Sequence, residues 1–182
     1  YGADLPWRQH RKIDMVYSDD LVRWSSPITV IESERGELLF NTAVCRGPDR
    51  FVMLYETNDS RWPPFTFKYC ESDDLVRWRR IPGAVYGTDK YVGGPALYHA
   101  DGWYYTLYLQ SLQGGMYETR ITRSRDLARW QDAPEGRAVL PVVPGHVPDP
   151  GHPGVHELSA SDAELCFWRG KTIVYFLSGN QQ

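Results

Sequence analysis

Apolar and polar positions along the chain fall into short blocks that repeat. Three hairpin-like stretches stand out. Thr42–Cys45 and Phe51–Tyr55 flank the turn Arg46-Gly47-Pro48-Asp49-Arg50. Ala96–Tyr98 and Trp103–Leu109 flank Ala100-Asp101-Gly102, and Glu164–Trp168 and Lys171–Leu177 flank Arg169-Gly170. Asp-Gly and Arg-Gly supply the positive φ that tight hairpin turns need. The flanking runs are almost continuously apolar, which predicts strands covered on both faces. Third strands follow at Phe65–Cys70 and Tyr117–Thr122. No stretch holds an apolar 3.6-residue period with helix caps, so the pattern reads as all-β.

A second repeat punctuates the first. Ser18-Asp19-Asp20-Leu21-Val22-Arg23-Trp24 recurs unchanged as Ser72-Asp73-Asp74-Leu75-Val76-Arg77-Trp78, and again, varied, as Ser124-Arg125-Asp126-Leu127-Ala128-Arg129-Trp130. Successive tryptophans lie 54 and 52 residues apart (24 to 78, then 78 to 130). The Ser and Asp are expected to bond backbone in a turn, and the Trp to pack between units. A period of about 50 residues with three or four antiparallel strands is the mark of a propeller blade. The expected blade units are 1–30 (an outer half), 37–88, 91–140 and 157–182 (an inner half), together about three blades' worth. A complete propeller needs more chain than this, so the sequence reads as part of a longer protein.

Composition narrows the function classes. The chain has 182 residues, is 42% hydrophobic and 14% aromatic, and carries a net charge of −3. That balance argues against disorder and against a nucleic-acid partner, which requires a basic face. No apolar run reaches the roughly 18 residues of a spanning helix, so no membrane partner is expected. Cys45, Cys70 and Cys166 are expected as small buried hydrophobes. No cysteine or histidine cluster suggests structural zinc, and no metal or cofactor is assigned.

Superposing the hairpins on Val44, Leu97 and Leu165 brings Asn41, Gly94 and Asp162 to equivalent inner-strand starts. In a propeller these meet at one mouth of the central channel, where a small ligand can bind. Matching Tyr55, Tyr108 and Phe176 places Glu56 where the sibling units have Leu109 and Leu177. A carboxylate that breaks the repeat at a buried face points to function. Glu118, at the start of a third strand, joins Glu56 and Asp162 as the candidate catalytic carboxylates. Asn41, Glu164, Trp62 and Tyr117 are candidate substrate-binding residues, with Tyr86 and Trp103 as further rim aromatics on which sugar rings could stack.

The runs Asn41-Thr42-Ala43-Val44-Cys45 to Tyr55-Glu56, Gly94-Pro95-Ala96-Leu97-Tyr98 and Ser161-Asp162-Ala163-Glu164-Leu165 resemble the five-bladed β-propeller glycoside hydrolases of families 43, 32, 68 and 117. The resemblance covers essentially the whole chain and is specific for the superfamily rather than for one family. It implies hydrolysis of plant or algal oligo- or polysaccharides by a carboxylate base or nucleophile and a carboxylic acid, with inversion the favoured outcome. Within it, Asp162 matches a catalytic inner-strand position, and Glu56 and Glu118 are the candidate acids. The usual first-blade aspartate has no counterpart unless Asp4 or Asp14 substitutes, and Asn41 stands where an acid is expected. An axial cation such as calcium occurs in that group without support from this sequence. The sialidase Asp-box is a weaker match, since that box carries a glycine and an extra residue. The alternative function is a non-catalytic carbohydrate-binding or interaction propeller. Sugar substrates suggest a periplasmic or secreted protein, while free cysteines suggest the cytoplasm. Oligomeric state is left open.

Overall fold

The structure, a computed structural model, describes residues 11–63, 65–113, 116–142 and 159–178. They form twelve strands in four antiparallel sheets. The first sheet is β1 (Lys12–Met15) and β2 (Ile28–Glu32). The second is a four-stranded meander of β3 (Leu39–Arg46), β4 (Phe51–Thr57), β5 (Thr66–Ser72) and β6 (Trp78–Tyr86). The third repeats it with β7 (Val92–Ala100), β8 (Trp103–Ser111), β9 (Tyr117–Ser124) and β10 (Trp130–Asp132). A two-stranded fourth sheet, β11 (Ala160–Trp168) and β12 (Lys171–Ser178), follows. These are propeller blades, two of them four-stranded.

Each sheet packs face to face on the next, and this explains the continuous apolar runs. In the second sheet Met53, Tyr55 and Cys70 pack toward Ile31 of the first. Alternating with them, Val52, Leu54, Phe67 and Tyr69 pack toward Leu97, Tyr104 and Tyr108 of the third. Six of the seven β4 residues are therefore buried. The fourth sheet departs from the sequence expectation. Ala163, Leu165 and Val174 pack on Ala96, Leu107 and Ile121, but Trp168, Tyr175 and Leu177 on the other face are exposed. Among the described residues, that sheet is covered on one face only. Cys166, expected to be buried, is exposed on β11 for this reason, whereas Cys70 is buried and Cys45 half-buried.

The repeated heptad is a turn held by its aspartate. Asp20, Asp74 and Asp126 each accept two backbone N–H bonds through Oδ1, from Val22 and Arg23, Val76 and Arg77, and Ala128 and Arg129, at 2.7–3.1 Å. These donors hold all three carboxyls below the ordinary carboxylate range. They also offset the cost of placing Leu21, Leu75 and Leu127 at φ of 59°, 65° and 61°. The turn aims its tryptophan sideways at the neighbouring sheet. Trp130 stacks on Tyr69 at 5.1 Å, and Trp78 packs on the cluster containing Ile31 and Met53. Trp24, in the same motif, is 55% exposed.

Identical chemistry in different surroundings gives a direct test. Trp130→Ala is expected to destabilise the fold by about 3 kcal/mol in chemical denaturation, from loss of its inter-sheet packing. Trp24→Ala is expected to cost less than about 1 kcal/mol in the same measurement.

Candidate active site

The starts of β3, β7 and β11, the ends of β4, β8 and β12, and the starts of β5 and β9 lie at one end of the stacked sheets. There each inner strand begins with an irregularity. The pairing slips between Leu39 and Thr42, between Gly93 and Ala96, and between Ser161 and Glu164. Such bulges re-aim side chains at a sheet margin. Gly94 (φ 53°) and Asp162 (φ 50°) occupy this bulge in successive blades. Glycine takes that backbone freely and aspartate tolerates it better than most residues. Gly94 matters for a second reason. A Cβ there would stand 2.6 Å from Asp162 Oδ1, so its absence makes room for the neighbouring carboxylate.

Glu56, near the end of β4, points from the second sheet toward this bulge and is only 4% exposed. Its Oε2 accepts a bond from Asn41 Nδ2 and another from the Gly94 N–H, both at 3.3 Å. Burial pushes the carboxyl up to about 7 and outweighs those two donors, and the charge of Asp162 pushes in the same direction. Asn41, Gly94, Pro95, Asp162, Ala163 and Glu164 line a cleft of about 180 Å³. The arrangement pairs a carboxyl that holds its proton near neutrality with a second carboxylate across one glycine.

The other candidates are placed differently. Glu164 is exposed at the cleft edge, where its carboxylate accepts the Tyr98 hydroxyl at 2.5 Å. Glu118 is buried and bound to the Arg120 guanidinium, and like the buried Glu56 it is not a lining residue of the cleft. Trp62 lies under the Arg61 guanidinium at 4.3 Å and lines a separate cavity with Tyr55, Lys68 and Arg80. Below it Lys68 is clamped between Asp59 (2.8 Å) and Glu37, a buried ionic cluster that ties the segment after β4 to β5. Tyr86 is buried, bonded to Tyr108 and Asp132, and the Trp103 ring lies against the Arg123 and Arg125 guanidinium groups. Tyr117, half-buried at the start of β9, has its ring 6.1 Å from that of Tyr91.

A cavity of about 600 Å³ between β1 and the second sheet is lined by Ile13, Met15, Val30, Val44, Met53 and Trp78, among others. It is a largely apolar gap between blades whose lining also includes Asp14, Tyr17, Thr42 and Asp74. Among the described residues no three His, Cys, Asp or Glu side chains converge as a metal-ligand set. Sequence reasoning missed Gly94 as a spacer. The signal was its alignment with Asp162, which marks a position where one side chain excludes another.

Two measurements check the site. A carboxyl whose pKa is about 7 folded against 4.5 ordinarily binds its proton more tightly in the folded state. Stability therefore falls as pH rises from about 4.5 through about 7, by on the order of 3 kcal/mol. Glu56→Gln removes this term, so its thermal stability relative to the wild type is expected to be higher at pH 8 than at pH 5. Gly94→Ala is expected to destabilise by about 2 kcal/mol, from the positive φ and the displaced Asp162 carboxylate, in denaturant melts.

No protein-family model and no curated protein matches the chain. Solved structures do. A family 32 β-fructofuranosidase from Bombyx mori superposes with a TM-score of 0.65 at 18% identity, over 90% of this chain and 34% of that one. A β-1,2-mannobiose phosphorylase from Listeria innocua gives 0.67 at 13%, over 93% and 46%. A family 117 glycoside hydrolase from Zobellia galactanivorans gives 0.58 at 14%, over 77% and 48%. The chain thus spans a third to a half of the length of these proteins. At such identities the likeness is one of fold, and the chain has part of the five-bladed β-propeller fold that these sugar-acting enzymes share.

Proposed function

We propose that the chain carries part of the active site of a glycosidase that acts on plant or algal oligo- or polysaccharides. The observation that carries this reading is the buried Glu56 carboxyl, pushed up to about 7 beside Asp162 at the mouth. A general acid must hold its proton at working pH yet release it to a leaving oxygen, and a value near neutrality suits both. Glu56 donates to the glycosidic oxygen as the bond to the anomeric carbon breaks. The Asp162 carboxylate takes the proton of an attacking water on the opposite face of the oxocarbenium-like centre. The reaction on this reading is inverting, with Glu56 as the acid and Asp162 as the base that activates water, the two lying on either side of Gly94. Asn41 fixes the Glu56 carboxyl, since its amide donates to Oε2. The fold-level likeness to sugar-acting enzymes raises the prior for this chemistry without specifying the sugar.

The test is turnover of fructo-, manno- and arabino-oligosaccharides, followed by release of reducing ends. Glu56→Gln and Asp162→Asn are each expected to lower kcat by about 1000-fold. The wild-type rate is expected to fall as pH rises above about 7, when Glu56 loses its proton, and the first-formed product is expected to be inverted by NMR. Turnover that survives both substitutions overturns the assignment. Sugar binding without turnover in the wild type would instead indicate a binding propeller.

A further inference from the structure

Four aromatic rings form an unbroken row along the same mouth. Phe40 meets Phe65 at 4.8 Å between centroids, Phe65 meets Tyr91 at 5.3 Å, and Tyr91 meets Tyr117 at 6.1 Å. Their chain positions explain the alignment. Phe40 lies at the bulge of β3, Phe65 immediately before β5, Tyr91 immediately before β7, and Tyr117 opens β9. All four therefore sit at one end of the second and third sheets, and all four are half-buried. Buried blade aromatics such as Phe67, Tyr69 and Tyr108 are sealed between sheets, which these are not.

The row passes beside the carboxyl group. Tyr91 Cε1 and Glu56 Oε2 stand 3.6 Å and 3.5 Å from the same point, the place a Gly93 Cβ would occupy. The charge of Glu56 acts on the Tyr91 phenol, which burial and neighbouring charge push up to about 12. Phe40 adjoins Asn41, which donates to Glu56. The cleft itself, at about 180 Å³, is smaller than the roughly 300 Å³ at which ordinary small-molecule pockets begin. It can admit part of one sugar ring, so the rest of any bound chain must lie on the rim.

We propose that Phe40, Phe65, Tyr91 and Tyr117 form a stacking platform for an oligosaccharide whose terminal linkage enters the cleft lined by Asn41 and Asp162, behind which Glu56 is buried. This rests on the glycosidase reading and deepens it by naming the residues that hold the substrate beyond the linkage that is cut. The faces of sugar rings carry C–H groups that pack on aromatic rings, and a contiguous apolar strip at a surface marks a binding site. The Tyr91 and Tyr117 hydroxyls add donors and acceptors for sugar hydroxyls. Two of the ring contacts are edge-on and one is tilted, and the row advances in steps of 4.8, 5.3 and 6.1 Å along the mouth.

The test compares disaccharides with tetrasaccharides of the fructo-, manno- and arabino- series on the whole protein. Binding is read by saturation-transfer NMR and Kd, and turnover by KM and kcat separately. Tyr91→Ala and Tyr117→Ala are each expected to weaken tetrasaccharide binding about three- to tenfold, and to reduce its preference over the disaccharide by the same factor. Tyr91→Phe, which keeps the ring, is expected to stay within about twofold of the wild type. Circular dichroism and melting of each variant confirm folding. Turnover with an unchanged tetrasaccharide preference in both alanine variants overturns the platform and leaves the glycosidase reading intact. Tetrasaccharide binding that the alanine variants weaken, in a protein without turnover, upholds the platform and overturns the hydrolytic reading. Failure of the wild type to bind or turn over any of these sugars overturns both.

Discussion

The fold depends on a wedge of aromatic side chains between the second and third sheets. Phe67, Tyr69, Tyr86, Tyr108 and Trp130 stack or meet edge-on at 5.1–6.5 Å and fill the space between two twisted surfaces. Large rings bury much area per residue and prefer tilted contacts, which suits a gap that widens outward. The hydroxyls are not left unpaired: Tyr86 bonds to Tyr108 and to Asp132 at 2.6 Å, and Tyr69 to Thr106 at 3.3 Å. The wedge thereby fixes both the separation and the register of the two sheets.

The chemistry at the mouth follows from that separation. Glu56 belongs to one sheet and the Gly94 N–H that bonds it belongs to the next. Asp162 comes from a third, seated where Gly94 leaves space. Bringing a carboxyl into this seam removes it from water, and two weak donors at 3.3 Å do not restore what is lost, so its proton is retained to about 7. A buried acid of this kind costs stability when it ionises. The bulk of the aromatic core carries that cost. Elsewhere the chain treats buried charge in the opposite way, with Lys68 held directly between Glu37 and Asp59. The contrast sets Glu56 apart as a carboxyl without a cation among the groups that shift it.

Much of this was legible in the chain. The heptad predicted a turn because Ser and Asp at fixed offsets satisfy backbone N–H groups locally, whatever surrounds them, and Asp74 and Asp126 do so. Glu56 stood out because a charge replaced the leucines of sibling strands at a position that must be buried. Glu118 stood out as a carboxylate at the start of a third strand, and it pairs with Arg120, two residues further along β9, a pairing that sequence spacing permits but does not require. The rim aromatics differ from one another in the same way. Trp62 lies in the segment between β4 and β5 against the Arg61 guanidinium, while Tyr117 opens β9 and joins Phe40, Phe65 and Tyr91, residues from three other strand junctions.

The sequence by itself determined the sheets, their turns and the period at which they recur, since hydrogen bonding in hairpins and alternation of faces act between residues close along the chain. Only the tertiary structure decided which carboxyl meets which partner, how far burial raises its proton affinity, and which rings line up at the mouth. Those outcomes are set by distances between different sheets, and such distances come from packing volumes that no local pattern encodes.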